Sequence, residues 1–334
     1  MTVTMTLLPI DLSIKQDGTA DTAAFAKDVL EGLSRTNKKL SSRYFYDKEG
    51  SRLFQKIMHL SEYYPTRCEH EVLTGNKQDI ISKFAGDSFF HLIDLGAGDA
   101  LKTKILLREL DKQKKQFDYV PVDISGDAMH QLNENLQQEL PNIEVQAVVG
   151  EYFKALEWLH ENKAERKVVL FLGSNIGNFE DDESIDFLKK IRSYLNTGDK
   201  LFMGVDLRKS PDVILPAYND ASGVTAAFNL NLLQRINQEL GANFDLTAFQ
   251  HSPIYHPQKG VMKSYLVSTK AQEVHIKALN KTFSFDAWEA IHTENSHKYS
   301  LKQVEELGLT CGFTVEAVFQ DEASQFADVL FTVK

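Results

Sequence analysis

Residues 91 to 104 read "HLIDLGAGDALKTK". The stretch begins as a largely apolar strand, passes through Gly96 and Gly98, and runs on into the start of a helix. A strand, a glycine turn and a helix N-terminus in that order bring backbone N–H groups to a nucleotide. A dinucleotide turn carries a third glycine that lets the helix pack closely on its strand, and here Leu101 takes that place. The turn alone therefore leaves hydride transfer and group transfer both open.

Working outward, the surrounding residues repeat a strand–helix rhythm. "SFFHLIDLG" (88–96), "DYVPVDIS" (118–125), "IEVQAVVG" (143–150), "KVVLFLGS" (167–174) and "DKLFMGVDL" (199–207) read as strands, with helices between them. Several are near-continuous apolar runs, as expected where helices cover both faces of a parallel sheet. This predicts an α/β fold with a doubly wound, Rossmann-like sheet. The flanks differ. Residues 1–85 read as mostly helical, whereas "KSYLVSTK", "EVHIKAL" and "KTFSFD" read as strands after the helix "GVTAAFNLNLLQRINQEL". "FTVEAVFQD" and "ADVLFTVK" suit two final strands that complete the sheet. The expected division is a helical part of a substrate lobe over 1–75 and a nucleotide domain over 76–207. An inserted α+β substrate lobe follows over 208–297, and 298–334 completes the sheet.

Bulk properties narrow the class. With 37 basic and 47 acidic residues the formal net charge is −10, which disfavours phosphate-driven nucleic-acid binding. No apolar run reaches the ~18 residues of a membrane-spanning helix. The first residues, "MTVTMTLLPIDLSIKQDG", lack the pattern of a secretory signal. Cys68 and Cys311 stand far apart without CxxC spacing, so neither a disulfide framework nor a cysteine metal site is expected. A cytoplasmic monomer acting on a small molecule, with no metal, membrane or nucleic acid, is the expectation.

Two further acids decide the nucleotide. Asp123 closes the second strand, where a carboxylate can accept from both ribose hydroxyls or cap the next helix. Glu151 ends the third strand beside Tyr152, and an acid next to an aromatic suits the amine and ring of an adenine. S-adenosylmethionine needs such a set, and it has no pyrophosphate to demand the third glycine. Its positive charges also favour acids such as Asp94 and Asp99 nearby. Group transfer is the better reading, with an NAD-dependent oxidoreductase as its rival from another class.

Three other clusters combine aromatic and polar groups. "RYFYDKEGSRLF" with "SEYYPTR" carries Tyr44, Tyr46, Tyr63 and Tyr64, which also suit an aromatic core seam. "FLGSNIGNFEDD" puts Gly173 and Asn178 at a strand's carboxyl end, the ligand side of such sheets. "HTENSHKYS" sets Glu294 and Ser296 two residues apart, on the same side of an extended segment.

Together with "AYNDASGVTAAFN" and the later "FQH", these blocks resemble the S-adenosylmethionine-dependent, histidine-specific N-alpha-methyltransferases, which make the betaine hercynine for ergothioneine biosynthesis. The resemblance runs from about Tyr44 to the C-terminus. It implies a class I methyltransferase sheet with a second, substrate-binding lobe. It implies that Gly96, Lys102, Asp123, Glu151, Tyr152 and Gly173 hold the cofactor, Glu-Tyr standing where family members carry Asp-Phe. Asn178 and Tyr218 then hold the amino and carboxylate end of the substrate. Tyr63, Glu294 and Ser296 hold the imidazole, and Tyr46 lies near the amine. Ser264 stands where the histidine enzymes have a methionine, which keeps open another aromatic amino acid or a tryptophan-type amine. Glu294 favours histidine, because a carboxylate pairs well with a ring N–H.

Overall fold

A computed structural model describes residues 9–12, 19–86 and 88–334. The expectation of helix over the first residues therefore lies partly outside the described ones. The chain forms two compact units. Unit 1 comprises residues 1–14, 65–208 and 299–334, and unit 2 comprises 15–64 and 209–298.

Unit 1 is built on a nine-stranded sheet. Its principal strands are β1 (Phe90–Leu95), β2 (Phe117–Asp123), β3 (Val148–Val149), β4 (Arg166–Phe171), β5 (Lys200–Asp206), β6 (Phe313–Gln320) and β7 (Phe326–Val333). They lie in the order β3-β2-β1-β4-β5-β7-β6, parallel except that β7 runs antiparallel to both β5 and β6. All six residues of β1 are buried, which explains why its sequence barely alternates. Fully burying one large apolar side chain stabilises by roughly 1.5–3 kcal/mol, so this central strand anchors the unit.

Three elements differ from expectation. The run 143–150 is not one strand: Glu144–Val145 and Val148–Val149 pair separately with β2. Ile10–Asp11 is a strand rather than helix, and pairs in parallel with β3 at the sheet's edge. The helix Tyr64–Phe84 runs through the expected boundary at 75, and the main segment of unit 1 begins at Pro65. The physical reason is that Val72, Leu73, Ile80, Ile81 and Phe84 all pack into the core beside β1.

Unit 2 joins helices to an antiparallel three-stranded sheet, in which Val261–Ser268 lies between Phe249–His256 and Ala290–His297. The strand Phe249–His256 contains Pro253, which cannot donate to a ladder, and it accordingly sits at the sheet's edge. A separate hairpin pairs Gln272–Ile276 with Lys281–Phe285. The core unites Phe25, Phe45 and Leu53 with Phe228 and Leu232 of the helix Val224–Leu240 and with Leu266 and Ile291 of the sheet. Asp220 starts that helix by accepting from the N–H groups of Val224 and Thr225 and from the Ser222 hydroxyl. Although burial opposes it, these bonds hold the Asp220 carboxyl down at about 2.

Candidate active site

In unit 1 the chain leaves β1 towards β2 on one side and reaches β4 on the other, so the carboxyl ends of β1 and β4 flank the topological switch point where such sheets bind ligands. Both ends are made of backbone. Gly96, Gly98 and Gly173 adopt φ of +77°, +53° and +82°, which L side chains rarely tolerate. A Cβ on Gly96 would stand 2.7 Å from Tyr152 Oη, so the tyrosine lies directly against the turn. A Cβ on Gly98 would meet nothing within 4 Å, leaving open space over that backbone. Asp123 accepts from Gly98 N at 3.2 Å and Ser125 N at 3.0 Å. It does not cap the next helix, a task taken by Ser125. Each Asp123 oxygen accepts one of these bonds and can accept another, as a ribose diol requires.

The other cofactor candidates fall around the same strand ends. Lys102 Nζ pairs with Glu69 Oε2 at 2.5 Å, and Glu69 Oε1 accepts from Gly173 N at 2.6 Å. One buried carboxylate thus fixes two candidate residues, and Glu69 itself had no signal in the sequence beyond lying in a helical pattern. Beside it lies Asp328, fully buried, whose oxygens have no hydrogen-bond partner among the described residues. Burial and the neighbouring Glu69 push its carboxyl well up. Glu151 is exposed at the start of the helix Tyr152–Asn162, and Tyr152 packs edge-on against Phe171 and Phe187. Desolvation, with Asp123 and Asp94 nearby, raises the Tyr152 phenol. Asp94 is buried, accepts from Thr103 and Tyr119, and fixes the end of β1. Asp99 accepts from Leu101 N. After β4, Gly173 and Ser174 both adopt left-handed backbone, and Ser174 Oγ accepts from Asp206 N, which ties this loop to the end of β5. The half-buried Asn178 closes the single 3₁₀ turn Asn175–Asn178 that follows.

Unit 2 sets Ser264, Glu294 and Ser296 on one sheet. Glu294 and Ser264 are direct cross-strand partners, and the Ser264 hydroxyl helps to draw the carboxyl down. Glu294 keeps part of its surface open, yet lost solvation pushes its carboxyl up to about 7, against the pull of Lys298 and Ser264. Ser296 Oγ lies 2.7 Å from Tyr218 Oη. Lys298 donates to both oxygens, at 2.8 and 2.7 Å. His251 supports this cluster from the edge strand Phe249–His256, donating from Nε2 to the Tyr218 carbonyl with Nδ1 facing the Asn229 amide. Tyr46 and Tyr63 form a second group, both packing edge-on against Phe54. Lys298 was missed in the sequence, although Glu294, Ser296 and Lys298 follow the same alternation that paired the first two.

A sheet in the order 3-2-1-4-5-7-6, with its last-numbered strand antiparallel and glycine turns at the switch point, defines a class I methyltransferase that uses S-adenosylmethionine. A family model described as "Histidine-specific methyltransferase, SAM-dependent" matches residues 25–333, and the chain belongs to that family. A histidine N-alpha-methyltransferase of Mycolicibacterium smegmatis is 36% identical over 88% of this chain and 90% of its own length. That of Mycobacterium tuberculosis is 35% identical over 91% and 93%. A 4-dimethylallyltryptophan N-methyltransferase of Aspergillus fumigatus is 27% identical over 95% of each. Membership removes the hydride-transfer reading. Among the described residues no helix is long and apolar enough to cross a membrane.

Proposed function

We propose that this enzyme methylates the α-amino group of free L-histidine three times, giving the betaine hercynine. The observation that carries this reading is the side-by-side placement of Glu294 and Ser296, one acceptor and one hydroxyl on the same sheet face, which suits the two nitrogens of an imidazole. Tyr63 adds an aromatic wall, Ser264 steadies the Glu294 carboxylate, and Tyr218 is assigned to the substrate's carboxylate. Asn178 can hold the amine through an uncharged amide.

When bound, S-adenosylmethionine supplies a methyl group on a positively charged sulfur, open to in-line attack by an amine. Gly96, Gly98 and Gly173 are assigned to its close approach, Asp123 to its ribose, Glu151 and Tyr152 to its adenine, and Lys102 to fixing the loop at Gly173. The amine must be neutral to attack, so each of the first two methylations leaves a proton to be removed before the next. Tyr46, which is 41% exposed, can pass that proton to water. Positioning is expected to supply most of the rate, up to on the order of 7–11 kcal/mol for well-aligned reactants. The reading carries with it a cytoplasmic monomer that binds no nucleic acid, in keeping with the net charge of −10.

The test is mass spectrometry after incubation with S-adenosylmethionine and the twenty amino acids. Histidine gaining three methyl groups is the expected result. Methylation of tryptophan or another aromatic amino acid instead would replace the substrate, with Ser264 as the feature behind that second reading.

A further inference from the structure

The Tyr218–Ser296 cluster of unit 2 includes a cation for which the assignments above give no task. Lys298 is 2% exposed, and its ammonium lies 4.7 Å from the centroid of the Tyr218 ring. Burying an ammonium costs several kcal/mol unless hydrogen bonds and neighbouring charge compensate it. Here it donates to Tyr218 Oη at 2.7 Å and to Ser296 Oγ at 2.8 Å, while those oxygens lie 2.7 Å from each other. Each hydroxyl has one proton to give and two lone pairs to accept with, whereas an ammonium only donates. The O···O contact occupies one of the two hydroxyl protons. Because Lys298 already satisfies both oxygens, that contact can open without leaving either of them unpaired, and both protons then become available to a ligand.

We propose that Lys298 is a positioning residue of the substrate pocket, which turns the Tyr218 and Ser296 hydroxyls into outward donors and sets a positive charge beside Glu294. The assignment rests on the reading that these residues hold the substrate. It gives the pocket two donors and one acceptor, the pattern that matches a carboxylate, a bare ring nitrogen and a ring N–H. The ligand so selected is an amino acid whose imidazole is neutral. Two other titratable groups bear on these residues: His251, whose pKa burial lowers, and Asp220, whose charge reaches His251. Lys298 is the cation that draws the Glu294 carboxyl down against desolvation. Without it Glu294 stays protonated to higher pH and accepts the ring N–H only through a neutral, weaker oxygen.

The experiment is calorimetric titration of histidine, between pH 6 and 9, into the protein saturated with S-adenosylhomocysteine. Wild type, Lys298→Met and Lys298→Gln are compared, and S-adenosylhomocysteine affinity is measured for each. In Lys298→Met the histidine Kd is expected to rise at least about tenfold at pH 8, the effect of losing a charge-assisted hydrogen bond. The acidic limb of binding should move up by about one pH unit, while S-adenosylhomocysteine binds within about twofold of wild type. Lys298→Gln, which keeps a donor without the charge, should show the same shift of the limb with a smaller loss at pH 9. An unshifted limb in either variant that retains S-adenosylhomocysteine binding overturns the assignment. Loss of that binding in both variants also overturns it, in favour of a purely structural lysine. If wild type binds no histidine, the substrate reading itself fails, whatever the variants do.

Discussion

The glycine turns of unit 1, assigned above to the cofactor, and the Glu294–Ser296–Lys298 cluster of unit 2, assigned to the substrate, are built from different material. The first is mostly backbone: three glycines at positive φ, with Asp123 and Glu69 holding the N–H groups of Gly98 and Gly173 and the Val122 carbonyl holding that of Gly96. The second is mostly side chain, projecting from an antiparallel sheet and carrying charge that desolvation makes costly. Backbone recognition suits a cofactor that every member of the class shares. Side-chain recognition can change with one substitution, which suits a family whose relatives include histidine and dimethylallyltryptophan enzymes. The difference predicts that variants in one region leave the other region's ligand almost untouched.

The sharpest break should come from Glu294→Ala. Losing a charge-assisted hydrogen bond of about 1.5–3 kcal/mol should raise the histidine KM by roughly 10- to 100-fold. S-adenosylhomocysteine affinity should stay within about twofold, and steady-state kinetics with a binding titration check both. A second effect appears in stability rather than binding. The Glu294 carboxyl titrates at about 7 in the fold against 4.5 ordinarily, so the native state holds its proton longer. Its favourable contribution is therefore complete below about pH 4.5 and is lost as pH rises through about 7. Glu294→Gln should accordingly stabilise the protein by about 2–3 kcal/mol at pH 8 and by little at pH 4.5, read from thermal unfolding at the two pH values.

Smaller changes test unit 1. Glu69→Ala leaves Lys102 and the Gly173 N–H without their shared acceptor. An unpaired buried group costs about 1–3 kcal/mol, so S-adenosylhomocysteine affinity should fall about tenfold while histidine affinity holds. The smallest effect belongs to Gly98→Ala. Its Cβ would enter open space, so the cost to the free protein is only the strain at φ +53°, roughly 1–2 kcal/mol. If the cofactor fills that space, its affinity must drop further than stability does. Equal losses in calorimetry and in thermal unfolding would remove Gly98 from the cofactor's path.

These two materials also set what the sequence disclosed. Gly96, Gly98 and Asp123 are legible because a turn at positive φ and a strand-end acid leave local marks, and the central strands because burial on both faces makes them apolar throughout. The short pairing of 144–145 and 148–149 was not legible, because a break after two residues leaves the apolar run unchanged. Phe249–His256 hid behind Pro253, which reads against a strand until its place at an edge is known. Glu69 and Asp328 could not be found locally, since they meet only when a helix and the final strand fold against β5. Ser264 looked like an isolated departure, and pairing across strands gives it a partner in Glu294.

The division of unit 2 into residues 15–64 and 209–298 has a consequence on the ribosome. Phe25, Val29 and Phe45 emerge early, but Phe228, Leu232 and Leu266, which cover them, are synthesised only after the parallel strands of unit 1. Those strands wait in turn, because β5 gains its neighbour β7 only from the last residues of the chain. Each unit thus holds an unfinished apolar surface while the other is being made, and such surfaces invite aggregation. Neither unit can be completed as an uninterrupted stretch of nascent chain, and the completion of unit 1 waits on the strands of residues 313–333.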